Sequence, residues 1–262
     1  MKIHLFFFPV SLLIIGSRQR ALSNLTHDAS HRNLFLHKSI NDLITNVFCA
    51  VPMFETVAFY RQSHMKHHKY LGNIEHDPDS ISHLSAGYND HQPWSGDPIT
   101  NFARLIFNKT TLRTSLFGSL HALNMKDLFF TVFQWSLVII VSGKISWIIT
   151  LLWFSSKLST YHFIRILAEY LDHSGLKQGS VLSFTRNLPH KGILCHIFHP
   201  HSDTYHIVHH LHPKVPHYNL AQAHEVLLNE KEYAMAHHCD SYIQGRHAAV
   251  SCWVGKCQGV GI

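Results

Sequence analysis

Charged residues are scarce in this chain. Asp, Glu, Lys and Arg make up 15% of its 262 residues, whereas 46% are hydrophobic. An ordinary soluble domain has about 25% charged residues, so the composition favours a membrane protein. Acidic residues are fewer than basic residues, 16 against 22. The resulting net charge of +6 fits attraction to anionic lipid headgroups and requires no nucleic acid partner.

Cysteines are few, odd in number and not closely paired. The five are Cys49, Cys195, Cys239, Cys252 and Cys257. Their number and spacing argue against a disulfide framework and predict reduced thiols in a cytoplasmic setting. The HHCD segment at 237–240 fits no strong zinc-binding pattern, so we expect no zinc site there.

The chain also lacks a long uninterrupted hydrophobic run. Its two strongest apolar segments, 128–141 and 145–154, are separated only by Ser142, Gly143 and Lys144. Each is shorter than the roughly 20 residues that span a bilayer alone, so flanking residues must extend both. The pattern predicts a helical hairpin with its tip at Gly143, either spanning a membrane or buried in a soluble fold.

Two weaker apolar segments precede the hairpin. Residues 5–15 lead directly to Arg18 and Arg20, which favours a membrane helix over a signal peptide. Residues 43–60 are interrupted by Pro52, so a kinked, partly interfacial helix is expected. Basic residues concentrate outside the hairpin, whose tip carries only Lys144. This bias predicts that the remainder of the chain faces the cytoplasm.

Histidine is abundant, with 26 residues. Residues three and four positions apart share one face of a helix, so a triplet with this spacing directs three imidazoles into one region. Random placement at this frequency predicts roughly 0.25 such triplets. Two are present, HMKHH with His64, His67 and His68, and HIVHH with His206, His209 and His210.

Two shorter patterns add to the triplets. His27 and His31 in HDASH are one helical turn apart, as are Glu169 and His173 in EYLDH. Nine histidines exceed what one metal can use, so a two-metal site is the natural interpretation. The alternative is that these are surface or core histidines in a chain of biased composition.

Four segments resemble, in order and spacing, the histidine boxes of the membrane fatty acid desaturase family: HDASHRNLF, RQSHMKHHKY with the HDPD that follows it, EYLDHSG, and TYHIVHHLHPKVPHYNL. The similarity covers residues 5–224 of a single desaturase-like domain, 1–262, with a tail at 225–262. The first and third boxes look most like a bacterial branch that includes proteins similar to rhizobitoxine desaturase. Family members have a full helical hairpin before the first box, so the N-terminal helix is expected to be incomplete here.

The resemblance implies an all-α integral membrane protein, with transmembrane helices and a cytoplasmic helical cap that holds a His-rich di-metal site. The implied ligands of two Fe2+ ions are His27, His31, His64, His67, His68, His173, His206, His209 and His210. Asp203, Glu169 and Asp77 are predicted as additional ligands or as carboxylates that orient the ligand imidazoles. A turn or helix-capping role explains Asp203 equally well.

Enzymes of this family use O2 and two external electrons to introduce a double bond into a fatty acyl or lipid chain. The resemblance therefore implies a lipid or acyl substrate and an electron donor such as a ferredoxin or a cytochrome b5-like protein. Arg61, Lys66 and Lys69 surround the second box and could attract an acidic donor or an anionic acyl carrier. Binding to the membrane surface explains them equally well. The expected location is the inner or plasma membrane, with the boxes facing the cytoplasm.

Several alternatives stay open at this point. A hydroxylase or ketolase on the same scaffold would differ only in its product, and a small amino-acid-like molecule could replace the lipid. A metal-binding or transport membrane protein would place ionisable ligands within its spans, whereas 128–141 and 145–154 contain no His, Asp or Glu. An inactive, truncated relative would retain the boxes without binding iron.

Overall fold

The computed structural model describes residues 2–89, 92 and 96–256. This part of the chain is mostly helical, with one small parallel sheet. Its elements are α1 (Lys2–Ser30), α2 (Lys38–Thr45), α3 (Val57–Tyr70), α4 (Pro78–Ser85), α5 (Pro98–Ile106), α6 (Lys109–Phe117), α7 (Met125–Ser142), α8 (Ser146–Leu158), α9 (Thr160–His173), α10 (Val181–Phe184), β1 (Arg186–Asn187), α11 (Ile193–Phe198), α12 (His206–Leu211), α13 (Leu220–Leu227), α14 (Lys231–Ala234) and β2 (His237–His238).

The chain folds into two compact units. Unit 1 comprises residues 1–62 and 109–165, and unit 2 comprises residues 63–108 and 166–262. The division falls within α3 and within α9, so each of these helices begins in unit 1 and ends in unit 2. Unit 1 contains the predicted hairpin, and unit 2 contains both histidine triplets.

Helices α7 and α8 form the predicted hairpin. Gly143, at its tip, has a φ of +53°, which glycine adopts without a steric penalty. The ring centre of Trp135 lies 5.9 Å from that of Trp153 and 5.3 Å from that of Phe154, so the two helices lie side by side. Among the described residues, the helical stretch Met125–His173 is long and apolar enough to cross a membrane. Its most apolar window has a mean hydropathy of 2.0, and none of that window is buried.

Helix α1 is 29 residues long, but it does not meet the same test of length and apolar character. Its apolar part ends at Ile15, and Ser17, Arg18, Gln19 and Arg20 follow in succession. The Gln19 side chain donates to the carbonyl oxygen of Trp153 at 3.0 Å, so the polar end of α1 is bonded to α8. The prediction of a membrane-spanning helix at the N-terminus is not supported over the described residues.

The chain bends sharply where Pro52 predicts a kink. A π-helical turn, Asn46–Ala50, and a 3-10 turn, Val51–Met53, lead to Phe54, whose φ is +64°. The helix axis turns by 85° between residues 38–53 and 57–70. If these two segments are counted as one broken span, they form the second candidate for crossing a membrane.

Unit 2 has several apolar clusters packed around α9 and α12. One of them unites the helix carrying the second triplet with its neighbours, through Tyr205, Ile207, Val208, Leu220, Tyr233 and Ala236. Strands β1 and β2 pair in parallel, with Asn187 opposite His238. The all-α prediction omitted this sheet because strands of two residues leave no alternating pattern.

The cysteines follow the prediction with one exception. Cys49, Cys195 and Cys239 are free thiols. Cys252 is disulfide-bonded, so the prediction of reduced thiols is wrong for this residue. An odd total does not prevent one bridge from forming. Cys257 lies outside the described residues.

Candidate metal centre

The two triplets lie on short helical segments of unit 2, as their spacing predicts. His64, His67 and His68 are in the last two turns of α3, and His206, His209 and His210 are in α12. Of these six, only His68 is more than slightly exposed. Such a concentration of buried imidazoles requires partners, because buried polar groups are costly when they are left unbonded.

Four imidazoles, from His67, His173, His206 and His210, form one group in which every ligand atom lies within 4.8 Å of the others. The Nε2 atoms of His67 and His210 are 3.3 Å apart. Those of His173 and His206, and of His206 and His210, are 3.1 Å apart. We call this group the four-histidine cluster. It joins α3, α9 and α12, so three separate stretches of sequence meet at one point.

A second group, the three-histidine cluster, lies beside the first. The Nε2 atom of His68 is 3.0 Å from Nε2 of His64 and 3.0 Å from Nε2 of His209. The His64 and His209 atoms are 3.4 Å apart. The ring centres of His68 and His210 are 4.4 Å apart, which brings the two clusters into contact. Each of these two adjacent sets of nitrogen atoms could hold a metal ion.

Hydrogen bonds at the outer nitrogens fix the ring tautomers in the four-histidine cluster. Nδ1 of His173 is 2.9 Å from the carbonyl oxygen of Phe184, which can only accept, so Nδ1 carries the proton. Nδ1 of His67 is 3.0 Å from a carboxylate oxygen of Asp77. In the neutral form of each ring Nε2 therefore presents a lone pair to the cluster. For His67, burial lowers the pKa, but the carboxylates of Asp79 and Asp77 outweigh burial and raise it. Converging lone pairs repel one another unless a cation lies between them.

The spacing of the nitrogens fits a metal ion. Imidazole nitrogens that bind a metal at about 2.0–2.1 Å are separated from one another by about 3.0–3.4 Å. The neighbouring Nε2 pairs named above are 3.0 to 3.4 Å apart. Burial and the neighbouring His206, His67, His68 and His173 hold the pKa of His210 well below its usual value. That ring is neutral, as a metal ligand must be.

Asp77 is the buried carboxylate behind the second box. Burial raises its pKa, but hydrogen bonds from His67 and from the backbone N–H groups of Gly72 and Asp79 outweigh burial and lower it. Gly72 is required at this turn because its φ is +72° and a Cβ there would lie 2.5 Å from the Phe184 ring. The turn thus keeps an ionised carboxylate against His67, an arrangement typical of metal-bound imidazoles.

The other two predicted carboxylates lie apart from the ligand groups. Asp203 is half-buried in the turn before α12, and Glu169 is half-buried on α9, where its charge interacts with Asp79. Neither belongs to a group of metal-ligating atoms among the described residues. The acidic residue close to the third box is instead Asp172, whose Oδ2 is 3.9 Å from Nε2 of His206. Asp172 directly precedes His173 in EYLDH, and this position in the sequence indicates that it lies close to the ligand histidines.

His27 and His31 lie in unit 1, at the C-terminal end of α1. Their ring centres are 5.5 Å apart, so the spacing places both on one face as predicted. His31 is buried, and His27 packs edge-on against Tyr60. The helix ends directly after Ser30, and Arg32 adopts a φ of +64°.

Arg61 holds this end of α1. Its guanidinium donates to the carbonyl oxygens of Ser30 at 2.7 Å and Ala29 at 3.1 Å, and it forms two bonds with the Asp42 carboxylate at 2.6 and 2.9 Å. The suggestion that Arg61 attracts an acidic donor is therefore wrong, because its charge is already paired within unit 1. Lys66 and Lys69 are exposed, and the Lys69 ammonium lies 4.8 Å from the centre of the Tyr70 ring.

Comparison with known proteins agrees with this geometry. A family model described as fatty acid desaturase matches residues 3–244. The chain belongs to the fatty acid desaturase family. Membership in this family makes it an oxidoreductase of the desaturase type, which the order of the histidine boxes predicted.

Curated relatives in this family come from bacteria and plants. The chain is 29% identical to dihydrorhizobitoxine desaturase of Bradyrhizobium elkanii over 247 residues, which are 87% of this chain and 69% of that protein. It is 25% identical to the sn-1 acyl-lipid omega-3 desaturase (ferredoxin) of Nostoc sp. (strain 36), over 84% of this chain and 67% of that protein. It is 23% identical to the chloroplastic omega-6 fatty acid desaturase of Spinacia oleracea, over 85% of this chain. The chain spans about half the length, 54%, of that plant relative.

Proposed function

We propose that this desaturase-family chain is a membrane-bound, di-iron, O2-dependent enzyme that introduces a double bond into a fatty acyl or lipid chain. The observation that carries the proposal is the pair of adjacent imidazole clusters in unit 2, with Nε2 separations of 3.0 to 3.4 Å. No charged ligand lies in the four-histidine cluster. Neutral nitrogen donors suit iron, copper and zinc, and family membership supports the proposal of iron among these.

The residues that would hold the two ions are the nine box histidines. His67, His173, His206 and His210 would hold one, and His64, His68 and His209 would contribute to the other, which we propose that His27 and His31 complete. When bound, iron would supply the reduction of dioxygen and the removal of hydrogen from an unactivated carbon. The chain's own residues bind the ions, fix the ring tautomers through Asp77 and the Phe184 carbonyl, and exclude water by burial.

The reaction balances with an external reductant. Two hydrogens leave adjacent carbons of the substrate, two electrons come from a donor, and two protons come from water. Together they reduce one O2 to two molecules of water. The donor would be a ferredoxin or a cytochrome b5-like protein. One relative carries ferredoxin in its name, and the exposed Lys66 and Lys69 next to the second box provide positive charge for an acidic partner.

Membrane attachment is proposed from the surface of unit 1. The hairpin of α7 and α8 exposes a continuous set of large apolar side chains, including Phe129, Val132, Ile140 and Trp147. Large exposed apolar patches on a soluble protein are rare, and a lipid environment removes their cost. We propose an inner or plasma membrane location with the boxes facing the cytoplasm, because the hairpin tip carries a single basic residue, Lys144.

The substrate class has one alternative supported by an observation. The relative with 29% identity is a dihydrorhizobitoxine desaturase, which favours a small amino-acid-like substrate over an acyl chain. The other two relatives described above are acyl-lipid or fatty acid desaturases. A hydroxylase or ketolase would share every feature of the site. Mass spectrometry of lipids and of small amines from one expression host, comparing wild type with His209→Ala, separates these outcomes by product.

Metal content tests the centre directly. Purified in detergent after growth with iron, the wild-type protein should contain about two irons per chain, and His206→Ala should lose at least one. His212→Ala is the matched control, because His212 follows α12 and is exposed. It should retain the wild-type iron content. Wild-type protein that contains no iron would overturn the proposal.

A further inference from the structure

Helix α12, which carries the third histidine box, begins without a capping side chain of its own. Its N-cap residue, Tyr205, makes no side-chain hydrogen bond to the first turn. The N–H groups of a first helical turn have no partner within the helix and need an acceptor from elsewhere. Here the acceptor is Oδ1 of Asn187, which is 2.9 Å from the backbone nitrogen of Ile207. The cap therefore comes from β1, 20 residues earlier in the chain.

The other half of the Asn187 amide is held by three side chains. Nδ2 lies 2.8 Å from the Tyr233 hydroxyl, 3.2 Å from Nδ1 of His238 and 3.3 Å from Nδ1 of His224. The Tyr233 hydroxyl is also 2.6 Å from Nδ1 of His224. Nε2 of His238 donates to the Tyr233 carbonyl oxygen at 2.7 Å, so its Nδ1 is free of a proton and accepts from Asn187.

This network permits only one orientation of the amide. Reversing Asn187 would place its NH2 group against the N–H of Ile207, so that two donors would face each other and the two imidazole acceptors would lose their donor. Burial holds the pKa of His224 and of His238 below the usual value, so both rings stay neutral acceptors. The amide is therefore fixed with its oxygen toward α12.

The backbone around Asn187 is equally constrained. Asn187 is paired with His238 in the sheet, and its carbonyl oxygen accepts from Cys239 at 2.9 Å. The next residue, Leu188, donates to the carbonyl oxygen of Thr204 at 2.8 Å, two residues before α12 begins. Asn187 is 3% exposed and Tyr233 is 2% exposed. A rigid, buried element thus contacts both the turn into α12 and its first N–H groups.

We propose that Asn187 is a positioning residue for the metal centre. Through the Ile207 N–H it sets the rotation and the height of α12, and hence the point at which His206, His209 and His210 converge. Nothing in its contacts makes it a ligand, because both polar atoms of its amide are already bonded within this network. Displacing a functional group by about 1 Å can cost about 100-fold in activity, so a fixed cap on so short a helix matters. The inference rests on the proposed metal site.

Two substitutions distinguish the amide oxygen of Asn187, which caps α12, from its NH2 group. Asn187→Asp retains an oxygen acceptor for Ile207 and loses the NH2 donor, whereas Asn187→Leu loses both at similar size. The matched control is Asn229→Leu, because Asn229 is exposed and its side chain donates to the Val226 carbonyl oxygen in neighbouring α13. Full-length, metal-free protein in detergent is titrated with Co2+ and followed by visible absorption, and amide hydrogen exchange is measured without metal.

The expected results are specific to α12. Asn187→Leu should weaken Co2+ binding by 10- to 100-fold, the range seen when groups behind metal ligands are removed. It should speed exchange in residues 206–209 more than in α13, which Asn187 contacts through the His224 side chain. Asn187→Asp keeps the acceptor for Ile207 but loses the donor to Tyr233, His224 and His238, so it should weaken Co2+ binding less than Asn187→Leu does. Asn229→Leu should stay close to wild type in both measurements. If Asn187→Leu does not fold, Tyr233→Phe tests the inference instead. It removes the hydroxyl that holds the Asn187 NH2 group and should weaken Co2+ binding a few-fold.

Several results would overturn the inference. These are wild-type Co2+ affinity and spectrum in Asn187→Leu, equal loss in Asn187→Asp and Asn187→Leu, or, where Tyr233→Phe must decide, no change in that variant. Each of these leaves the proposed function intact as long as the wild-type protein binds metal. Wild-type protein that takes up neither Co2+ nor iron would instead overturn the metal centre itself, and the positioning role with it.

Discussion

The α7–α8 hairpin of unit 1 and the histidine region of unit 2 bury opposite kinds of side chain. In the hairpin, Val141 is 77% exposed and Ile140 is 75% exposed, whereas Ser156 and Lys157 are fully buried. In unit 2 the aliphatic residues Ile207 and Val208 are fully buried, together with imidazoles that bond to one another. The hairpin thus presents apolar side chains at its surface, whereas the histidine region encloses a polar centre.

Two fully buried polar side chains of unit 1, Lys157 and Ser156, are bonded within it. The Lys157 ammonium donates to the carbonyl oxygen of Met53 at 3.0 Å and lies 4.7 Å from the centre of the Phe54 ring. The Ser156 hydroxyl donates to the Leu12 carbonyl at 3.2 Å. Such contacts join helices where the surroundings offer no water. Whether an exposed apolar side chain is costly therefore depends on what surrounds it. Matched substitutions in the two units test what surrounds each of them.

The largest effect is expected from a charge placed on the exposed face of the hairpin. Val132 in α7 is 57% exposed, and Val226 in α13 is 64% exposed. If lipid surrounds the hairpin, Val132→Asp costs about 3 kcal/mol of insertion free energy and removes most of the protein from the membrane fraction. The same change at Val226 should alter stability by less than about 0.5 kcal/mol. Membrane fractions washed with alkaline carbonate measure the difference.

Equal retention of both variants in the washed membranes would contradict the lipid-facing interpretation of α7. So would a wild-type protein that the carbonate wash releases. Either result would make unit 1 a soluble hairpin, and its exposed side chains would then form a protein contact surface.

A second comparison uses two Asp–Pro segments of unit 2. Asp77 and Asp97 each cap a helix that begins with proline, but only Asp77 also accepts from His67. Asparagine caps helices about as well as aspartate, so Asp97→Asn should lower stability by no more than about 1 kcal/mol. Asp77→Asn should lower it further, because the new NH2 group would face the backbone N–H of Gly72 or of Asp79. Asp77→Asn should weaken metal binding by about 10- to 100-fold, because an amide no longer stabilises the His67 proton. Titration with Co2+ measures this, and equal affinities would remove Asp77 from the site.

The sequence predicts the parts of this site that depend on local spacing. Both triplets share helix faces because three and four residues complete a turn, and Asp77 in HDPD follows its partner by only ten residues. It could not identify Arg61 or Asn187, which act on carbonyl and amide groups 31 and 20 residues away. Contacts between a side chain and a distant backbone group leave no periodic pattern. Asp203 was chosen for its closeness in sequence to the third box, whereas Asp172 reaches His206 through the packing of α9.

A smaller effect is expected from the clamp that Arg61 forms in unit 1. Arg61→Lys loses the two parallel bonds to Asp42 and one of the bonds to the end of α1. Because the pair is partly exposed, the loss should be about 1–2 kcal/mol. Amide exchange should accelerate at residues 27–31 and leave α12 unchanged. Arg113→Lys, at an exposed position of α6 in the same unit, is the control. If amide exchange at residues 27–31 accelerates equally in both variants, Arg61 does not stabilise the end of α1.

The smallest effect concerns pH and again separates the two units. Burial, followed by the neighbouring His238, lowers the pKa of His224 in unit 2 to about 4. Because an unfolded histidine has a pKa of about 6.5, the unfolded chain binds this proton more readily between pH 6.5 and pH 4. Stability should therefore fall as the pH decreases through that range. From these two pKa values, His224 should account for at most about 2 kcal/mol of the loss at pH 5, and solvent screening lowers that figure.

His224→Gln removes the titrating group and should flatten the dependence of thermal stability on pH in this range. His212→Gln, at an exposed position of the same unit, should leave the slope as it is in the wild type. Exchange rates should rise on acidification first around α12 and α13, where the Asn187 network loses an acceptor when His224 gains a proton. Parallel pH curves for wild type and His224→Gln would mean that this ring is not a neutral acceptor in the folded protein. The single amide orientation inferred for Asn187 would then lose one of its three supports.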